Sequence, residues 1–280
     1  FPKIIKNIDN DIYVNIQTLS KDEIVEISSK KLKKYGVVVI NEYFKESILL
    51  NFEKEYNKYF REINSTTSTG YSNSKTLPFS KILTDMWFDE TIIKIIEKYI
   101  KRLPVGRNYP DLTMASPSKE NREGFADEWH LDHSTLILPA IYFNDFTIQD
   151  SRMQVILGSH THPNIGKPSY LTDEYIKKNN LTIGNCFGKR GSIQIHCGNV
   201  YHRFKPVNNS QRTWIKFEYS SGNNILLDSN KIGEMLFNKF DLSSLDARSR
   251  KIISGIFPLS FKKGYEKKGD IIKPTKFKGI

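Results

Sequence analysis

Apolar positions in the first third of the chain recur with helical spacing and are interrupted by one strand-like run. Ser20 is a favoured N-cap residue and Glu23 stands at the capping-box position, which predicts a helix from there to about Lys34. Gly36 ends that helix, and the run Val37–Ile40 indicates a buried strand. The same helical spacing predicts two further helices, at 45–60 and 89–101.

From about residue 111 the pattern changes to short β-rich runs separated by Gly, Asn, Pro and Asp. Several short strands with long connections between them are typical of an antiparallel sandwich or jelly roll. The candidate strands are 112–116, 135–143, 153–157, 192–196 and 213–219, and a later helix is predicted at 231–242.

The chain is long enough for one large domain, and it shows neither a repeat of fixed period nor a Gly/Ser- or Pro-rich linker. A hydrophobic content of 38% allows a packed core. We therefore expect an α+β fold in a single domain spanning 1–280. Its expected parts are a mainly helical N-terminal layer at 1–110, a jelly-roll core at 111–220, and a C-terminal helix and basic tail at 221–280.

The net charge of +11 raises the question of nucleic acid as a partner. The last twenty residues alone hold seven lysines against Glu266 and Asp270, a net +5, and such a tail is usually a solvated chain end. The remaining basic charge suits an anionic cosubstrate or substrate. We therefore expect a small-molecule substrate rather than a nucleic acid.

Two cysteines, Cys186 and Cys197, are too few for a disulfide framework and indicate a reducing, cytoplasmic setting. Cys197 is expected to be a small buried apolar residue. The longest apolar runs, such as Leu136–Phe143, are far too short to span a bilayer, so no membrane partner is expected. The sequence is compatible with a monomer or a homodimer.

All six histidines lie between residues 130 and 202, which indicates a metal site or an acid/base site in that stretch. The sharpest feature is Trp129-His130-Leu131-Asp132. Residues i and i+2 of an extended strand point to the same face, so His130 and Asp132 could reach one metal ion. With a distant histidine they would form a 2-His-1-carboxylate triad, which leaves coordination positions open on Fe(II). The alternative for His130 is a strand-end side chain bonded to a nearby backbone group.

The distant histidine of this pattern is His202, which follows the β-like run 191–195. Ten residues later Arg212 opens another β-like run. We expect the strands of His202 and Arg212 to form a hairpin, which would place the guanidinium in the metal pocket. The planar fork of arginine matches the two oxygens of a carboxylate. The alternative for Arg212 is a surface ion pair.

Four segments, in this order, resemble the phytanoyl-CoA dioxygenase-like family of Fe(II)/2-oxoglutarate-dependent oxygenases. They are Tyr35–Ile40 followed by an amphipathic helix, the Trp129–Asp132 motif, the turn Met153–His160, and Gly191–Arg212. The turn carries Leu157 where the family usually has proline. The resemblance covers roughly residues 30–220.

The resemblance implies a double-stranded β-helix, which is a jelly-roll or cupin-like barrel, with the N-terminal helices packed on one face. It implies that His130, Asp132 and His202 hold Fe(II). It also implies that Arg212 pairs with the distal carboxylate of the cosubstrate 2-oxoglutarate, and that O2 is the oxidant. Hydroxylation is the usual outcome, desaturation and ring closure use the same chemistry, and the carboxylate of Asp132 disfavours halogenation.

Two positions depart from the family pattern. Phe204 and Trp214 stand where relatives often carry a small hydroxyl residue that helps to hold the cosubstrate. The second polar contact must therefore come from elsewhere. If His130 points inward, strand parity turns Tyr142 inward too, provided that no bulge intervenes at Pro139. Tyr142 is thus the candidate for the second cosubstrate contact.

The remaining histidines have minor roles in this interpretation, and His196 is kept as a candidate substrate contact. Structural roles are expected for His133, His160 and His162. The polar segments 64–79 and 117–127 would flank the mouth of the barrel and select the substrate. Their composition favours a polar, amino-acid-like or anionic molecule of specialised metabolism.

Three other functions stay open on these residues. The same chemistry could act on a protein or nucleic acid, and binding to a polyanion would then be tight and salt-sensitive. A jelly roll without catalysis could simply bind a ligand. A cupin-like metal isomerase or hydrolase would need the metal ligands but would not need Arg212.

Overall fold

The computed structural model describes residues 11–65, 71–74, 77–78, 80–115, 128–132, 134–161, 170–205, 212–220, 245–253, 265–268 and 271–274. Some sequence-based predictions concern residues outside these ranges. They are the roles of His133 and His162, the helix at 231–242, the segment 117–127 and half of the segment 64–79.

The first helix, α1 (Lys21–Tyr35), begins and ends as predicted. The Ser20 hydroxyl accepts a hydrogen bond from the Glu23 backbone at 3.3 Å, and the Glu23 carboxylate accepts one from the Ser20 backbone at 2.8 Å. This reciprocal pair is a capping box. Gly36 follows in the left-handed region with φ of 79°, where a side chain would be strained, and it ends the helix.

The predicted helix at 45–60 is two helices, α2 (Glu46–Glu55) and α3 (Asn57–Ser65), because the backbone leaves the helical path at Tyr56. The buried Tyr56 hydroxyl lies 2.7 Å from both the Pro78 carbonyl and the Ser80 hydroxyl, contacts that no local periodicity reveals. The other helices in the described part of the chain are the unpredicted α4 (Lys81–Trp87), the predicted α5 (Glu90–Ile100), α6 (Asp173–Lys178) and α7 (Ala247–Ile253).

The five strands predicted in the second half are present, and the first of them begins seven residues earlier than predicted. In chain order the strands are β1 (Tyr13–Asn15), β2 (Val37–Asn41), β3 (Tyr71–Ser74), β4 (Val105–Ala115), β5 (Trp129–His130), β6 (Leu136–Tyr142), β7 (Arg152–Ile156), β8 (Tyr170–Leu171), β9 (Ile183–Cys186), β10 (Ile193–Cys197), β11 (His202–Lys205), β12 (Arg212–Ser220), β13 (Tyr265–Lys268) and β14 (Ile271–Pro274).

These strands form a seven-stranded sheet in the order β1-β2-β10-β6-β12-β4-β3 and a five-stranded sheet in the order β8-β5-β11-β7-β9, with β13 and β14 paired separately. Neighbouring strands are antiparallel except for the parallel pair β1 and β2. From β4 to β7, and again from β10 to β12, successive strands alternate between the two sheets. This alternation is the connectivity that the jelly-roll expectation requires.

The same alternation corrects the predicted hairpin between the strands of His202 and Arg212. The His202 strand, β11, pairs with β5 and β7 in the five-stranded sheet, whereas the Arg212 strand, β12, pairs with β4 and β6 in the seven-stranded sheet. The prediction was wrong because strands that are adjacent in sequence cross between the sheets here. The two residues therefore come from opposite sheets.

The central strand β10 is buried on both faces. Ile193, Ile195 and Cys197 belong to the large apolar core that also contains residues of α1, α2 and α5. Gln194 and His196 alternate with them and so point to the other face. The helical layer thus supports the seven-stranded sheet from one side, and polar side chains occupy the opposite side.

Both cysteines are buried free thiols, as their small number predicted. Burial raises the pKa of each thiol to about 12, so both stay protonated and unreactive at neutral pH. Within the described ranges, none of the helices combines the length and apolar character needed to cross a membrane.

The junction after α1 provides a test of the packing between α1 and the turn at His160. A Cβ atom added at Gly36 would lie 2.7 Å from His160 Nδ1. The residue would also have to adopt a left-handed φ, which is unfavourable for any residue with a side chain. We expect Gly36→Ala to lower the free energy of unfolding by about 1–3 kcal/mol, measured by urea denaturation. In a His160→Ala background the loss should shrink. A loss unchanged within about 0.5 kcal/mol would show that this contact is not responsible.

Candidate metal centre

His130 and His202 are directly opposite each other on paired strands. His130 is the last residue of β5 and His202 is the first of β11, and the two are register partners. Side chains of such a cross-strand pair lie on the same face of a sheet. Their ring centroids are 4.4 Å apart, so strand pairing alone brings the two imidazoles together.

Asp132 reaches the same point from just beyond the end of β5. Its Oδ2 atom lies 3.5 Å from Nε2 of His202. One ligand atom from each of His130, Asp132 and His202 lies within 4.8 Å of the others. His130 and Asp132 therefore approach one point, as predicted. The extended strand assumed in that prediction ends at His130, however, and Asp132 lies on irregular backbone.

Backbone carbonyls fix the orientation of both imidazoles. Nδ1 of His130 lies 2.7 Å from the Glu128 carbonyl, and Nδ1 of His202 lies 3.0 Å from the Val200 carbonyl. A carbonyl only accepts, so Nδ1 carries the proton of each neutral ring and Nε2 is left unprotonated. The backbone contact that was the alternative role of His130 is therefore present, and it prepares the ring as a metal ligand.

Electrostatics in the site favour a neutral His202 ring beside an ionised Asp132 carboxylate. Burial, assisted by the neighbouring His196, lowers the pKa of His202 to about 3. Burial alone would raise the pKa of Asp132, but His196 and His202 outweigh it and hold that pKa below its usual range. Two neutral imidazoles and one carboxylate are the donor set of a 2-His-1-carboxylate metal site.

Arg212 is buried, with 4% of its surface exposed, and no carboxylate in the described part of the chain pairs with it. The surface ion pair that was its alternative role is therefore excluded among these residues. Its Nη2 donates to Gln194 Oε1 at 3.4 Å, and its Nε has no hydrogen-bond partner among the residues that the structure describes. A buried guanidinium without an anion is unstable, which makes this position a candidate carboxylate site.

Aromatic rings surround the guanidinium. Its central carbon lies 4.5 Å from the ring centroid of Trp214, 5.1 Å from that of Phe146 and 5.3 Å from that of Tyr142. Phe204 packs against this group of rings. Phe204 and Trp214 therefore supply apolar walls around the charge, at the two positions where the phytanoyl-CoA dioxygenase-like pattern often has a small hydroxyl residue, and cation–π attraction stabilises the charge.

Tyr142 is fully buried beside Arg212, as predicted, but it arrives there by another route. Its strand β6 pairs with β10 in unbroken register through Pro139, so no bulge intervenes there. However, β5 and β6 belong to different sheets, so parity with His130 does not set its direction. The Tyr142 hydroxyl donates to Gln194 Oε1 at 3.0 Å.

Sequence reasoning missed Gln194 and assigned only a minor role to His196. Nε2 of Gln194 lies 3.0 Å from Nδ1 of His196, and Nε2 of His196 lies 3.9 Å from Oδ2 of Asp132. The two side chains therefore connect the Arg212 region to the metal ligands. The available signal was the alternation of Ile193-Gln194-Ile195-His196-Cys197, which places two polar residues on one face of a buried strand.

His160 takes the structural role that was predicted for it. It lies in the short 3-10 turn Ser159–Thr161, and its Nε2 lies 3.0 Å from the Lys33 carbonyl near the end of α1. This contact belongs to the packing of the turn against α1.

The structure is similar to solved structures of non-heme enzymes that depend on α-ketoglutarate, which is 2-oxoglutarate. The epimerase SnoN, in complex with Fe3+, α-ketoglutarate and nogalamycin RO, matches with a TM-score of 0.53 and 14% identity over 71% of this chain and 84% of SnoN. The carbocyclase SnoK from nogalamycin biosynthesis matches with a TM-score of 0.54 and 14% identity over 72% of this chain and 84% of SnoK.

AviO1 from Streptomyces viridochromogenes Tue57 matches with a TM-score of 0.52 and 16% identity, over 72% of this chain and 96% of AviO1. At these identities the likeness establishes a shared fold. No protein-family model and no curated protein matches the sequence. The resemblance to the phytanoyl-CoA dioxygenase-like family in particular therefore stays a prediction.

The donor set can be tested by removing its charge. We expect Asp132→Asn to weaken Co(II) or Fe(II) binding by at least about 10–100-fold in anaerobic calorimetry, because the loss of a ligand should exceed the usual effect of an outer partner. Asp85→Asn is the matched control, since the Asp85 side chain is 60% exposed and pairs with Lys81 on the surface of α4. Equal metal affinity in the two variants would contradict the assignment.

Proposed function

We propose that this chain is an Fe(II)/2-oxoglutarate-dependent oxygenase of the phytanoyl-CoA dioxygenase-like type. It would oxidise a polar, amino-acid-like or anionic small molecule in specialised metabolism. The observation that carries the proposal is the buried guanidinium of Arg212, which pairs with no carboxylate among the described residues and which two side chains connect to the His130, Asp132 and His202 cluster. A metal site alone would fit many enzymes, whereas a carboxylate site beside it fits a cosubstrate that is a dicarboxylate.

The metal ligands in this proposal are His130, Asp132 and His202. Three protein donors leave positions open for other ligands on a metal that prefers six. Fe(II) bound there would couple the oxidation of the substrate by O2 to the decarboxylation of 2-oxoglutarate to succinate. The fixed Nδ1 contacts hold both imidazoles ready, so little reorganisation is needed when the metal binds.

Arg212 and Tyr142 would bind the distal carboxylate of the cosubstrate. The Nε of Arg212, which has no hydrogen-bond partner among the described residues, supplies a donor. The Tyr142 hydroxyl donates to the same Gln194 oxygen as the guanidinium does, and it would turn from that oxygen to the carboxylate when the cosubstrate binds. The rings of Trp214, Phe146 and Tyr142 exclude water, which strengthens a charge pair by lowering the local dielectric constant. A strong single ion pair would thereby replace the hydroxyl contact that relatives often use.

The proposed outcome is hydroxylation, with desaturation and ring closure as variants of the same chemistry. Among the proteins with this fold, SnoN is named an epimerase and SnoK a carbocyclase. Those names support a range of outcomes on one scaffold. The proposal places the chain in the cytoplasm as a monomer or homodimer that acts on a small molecule rather than on a membrane or nucleic acid.

The cofactor assignment can be tested by anaerobic titration of the protein with Fe(II) and 2-oxoglutarate. We expect a weak visible charge-transfer band when both are present. Arg212→Met should require at least about 10-fold more 2-oxoglutarate to reach half of the band, because it removes a charge-assisted bidentate contact. Arg102→Met, at an exposed position, is the control and should behave as the parent protein does.

Two results would contradict this assignment. The first is a folded, metal-loaded protein that develops no band with 2-oxoglutarate. The second is a band that reaches half of its height at the same 2-oxoglutarate concentration in Arg212→Met as in the parent protein, which would remove Arg212 from the cosubstrate site.

The substrate class predicts a selective stimulation of cosubstrate turnover. We expect amino acids and other small anionic metabolites to accelerate succinate formation in air, whereas long-chain acyl thioesters should leave it at the uncoupled rate. The measurement is succinate by mass spectrometry across a panel of candidates, with O2 uptake in parallel. A preference for long-chain acyl thioesters would overturn the substrate class and leave the cofactor assignment intact.

A further inference from the structure

Gln194 and His196 are two buried polar side chains to which the proposed function gives no task. They extend from β10 into the space between the two sheets, and 1% of Gln194 and 6% of His196 is exposed. Polar groups on a strand that is buried on both faces destabilise the fold unless they are hydrogen-bonded or bind a ligand. Their hydrogen-bond partners therefore indicate what they do.

The orientation of the Gln194 amide is fixed by groups that each have one hydrogen-bonding role. The Arg212 guanidinium can only donate, so the atom 3.4 Å from it must be Oε1. The Met153 thioether can only accept, so the atom 2.9 Å from it must be Nε2. These contacts lie on opposite ends of the amide and exclude the flipped orientation.

This orientation sets the tautomer of His196. Nε2 of Gln194 is a donor, so Nδ1 of His196, 3.0 Å away, must accept. An imidazole that accepts at Nδ1 is neutral and carries its proton on Nε2. His196 is therefore the opposite tautomer to His130 and His202, whose Nδ1 atoms face backbone carbonyls.

The Nε2–H of His196 is aimed at the metal site. Among the described residues it has no hydrogen-bond partner, and the Asp132 Oδ2 atom lies 3.9 Å from it. The ring centroids of His196 and His202 are 4.8 Å apart. That separation resembles the 4.4 Å between His130 and His202, so His196 is close enough to compete for the metal if its Nε2 were unprotonated.

We propose that His196 is a positioning residue that donates its Nε2–H to the Asp132 carboxylate when the metal is bound, and that Gln194, oriented by Arg212, keeps His196 out of the coordination sphere. The proposal rests on the proposed function, because it assumes that Asp132 binds the metal. It assigns two effects to one hydrogen-bond chain. One carboxylate oxygen is held away from the metal, and a fourth protein ligand is prevented from filling a position that the cosubstrate or O2 requires.

The tautomer can be measured without any metal. Long-range ¹H–¹⁵N NMR of the apo-protein, with His196 identified by its loss in His196→Gln, should show a proton on Nε2 and none on Nδ1. In Gln194→Glu the new carboxylate can only accept, so Nδ1 should now carry a proton, whether or not Nε2 keeps its own. A proton on Nδ1 in the parent protein, or the same tautomer in both proteins, would overturn the proposed role of Gln194.

The donor role can be measured by anaerobic Co(II) or Fe(II) titration of two amide variants. A glutamine amide places its N–H near the position of Nε2, whereas an asparagine amide reaches only the position of Nδ1. We expect His196→Asn to weaken metal binding about 10–100-fold and His196→Gln to weaken it by less than about 3-fold. Circular dichroism and urea denaturation of both variants check that each is folded.

The outcomes separate this inference from the proposed function. If the parent protein binds the metal and both variants bind it equally well, the donor role of His196 is overturned and the metal assignment stands. If the parent protein binds neither Fe(II) nor Co(II), the proposed function fails and the donor role fails with it, while the NMR result still decides the tautomer. If His196→Asn loses metal binding and His196→Gln retains it, the result supports both the donor role of His196 and the metal assignment.

Discussion

The pocket is organised around a buried guanidinium that no carboxylate in the described ranges of the chain neutralises. Arg212 is compensated by three ring faces and one amide oxygen, none of which carries a full charge. A buried cation with so little compensation is maintained only if something else depends on it. The Tyr142 hydroxyl and the Arg212 guanidinium both donate to Oε1 of Gln194, and these two hydrogen bonds hold the three side chains together. The position of Arg212 thus constrains the residues of the neighbouring strands β6 and β10.

The two sheets have different tasks in forming this site. The five-stranded sheet supplies His130 and His202 as a cross-strand pair, so their approach follows from strand pairing. The adjacent strands β10, β6 and β12 of the seven-stranded sheet supply Gln194, Tyr142 and Arg212. That sheet can expose polar groups on its inner face because the helices bury its outer face in the main apolar core. The helical layer therefore stabilises the site indirectly, because apolar burial against the helices offsets the free-energy cost of burying polar side chains on the inner face.

Sequence reasoning recovered what is encoded locally. The capping box at Ser20 and the spacing of His130 and Asp132 depend on residues a few positions apart, and both are seen in the structure. It failed where the decisive partner is distant in sequence. The break at Tyr56 depends on the segment near Pro78 and Ser80, and the pairing of β11 and β12 depends on which sheet each strand joins. Gln194 was missed for the same reason, because its partners lie on three other strands.

With the aromatic residues Phe204 and Trp214, this site would bind an anion mainly through the charge of Arg212, whereas a site with hydroxyl residues would add hydrogen bonds. A hydroxyl adds a hydrogen bond but also keeps the surroundings of the carboxylate polar, whereas rings reduce the dielectric constant and strengthen the remaining ion pair. Such a site depends more on the correct placement of one guanidinium. Gln194 contacts that guanidinium and, through His196, approaches Asp132. A displacement of Arg212 would therefore be transmitted toward the proposed metal ligands, which would couple the geometry of the proposed anion site to that of the proposed metal site.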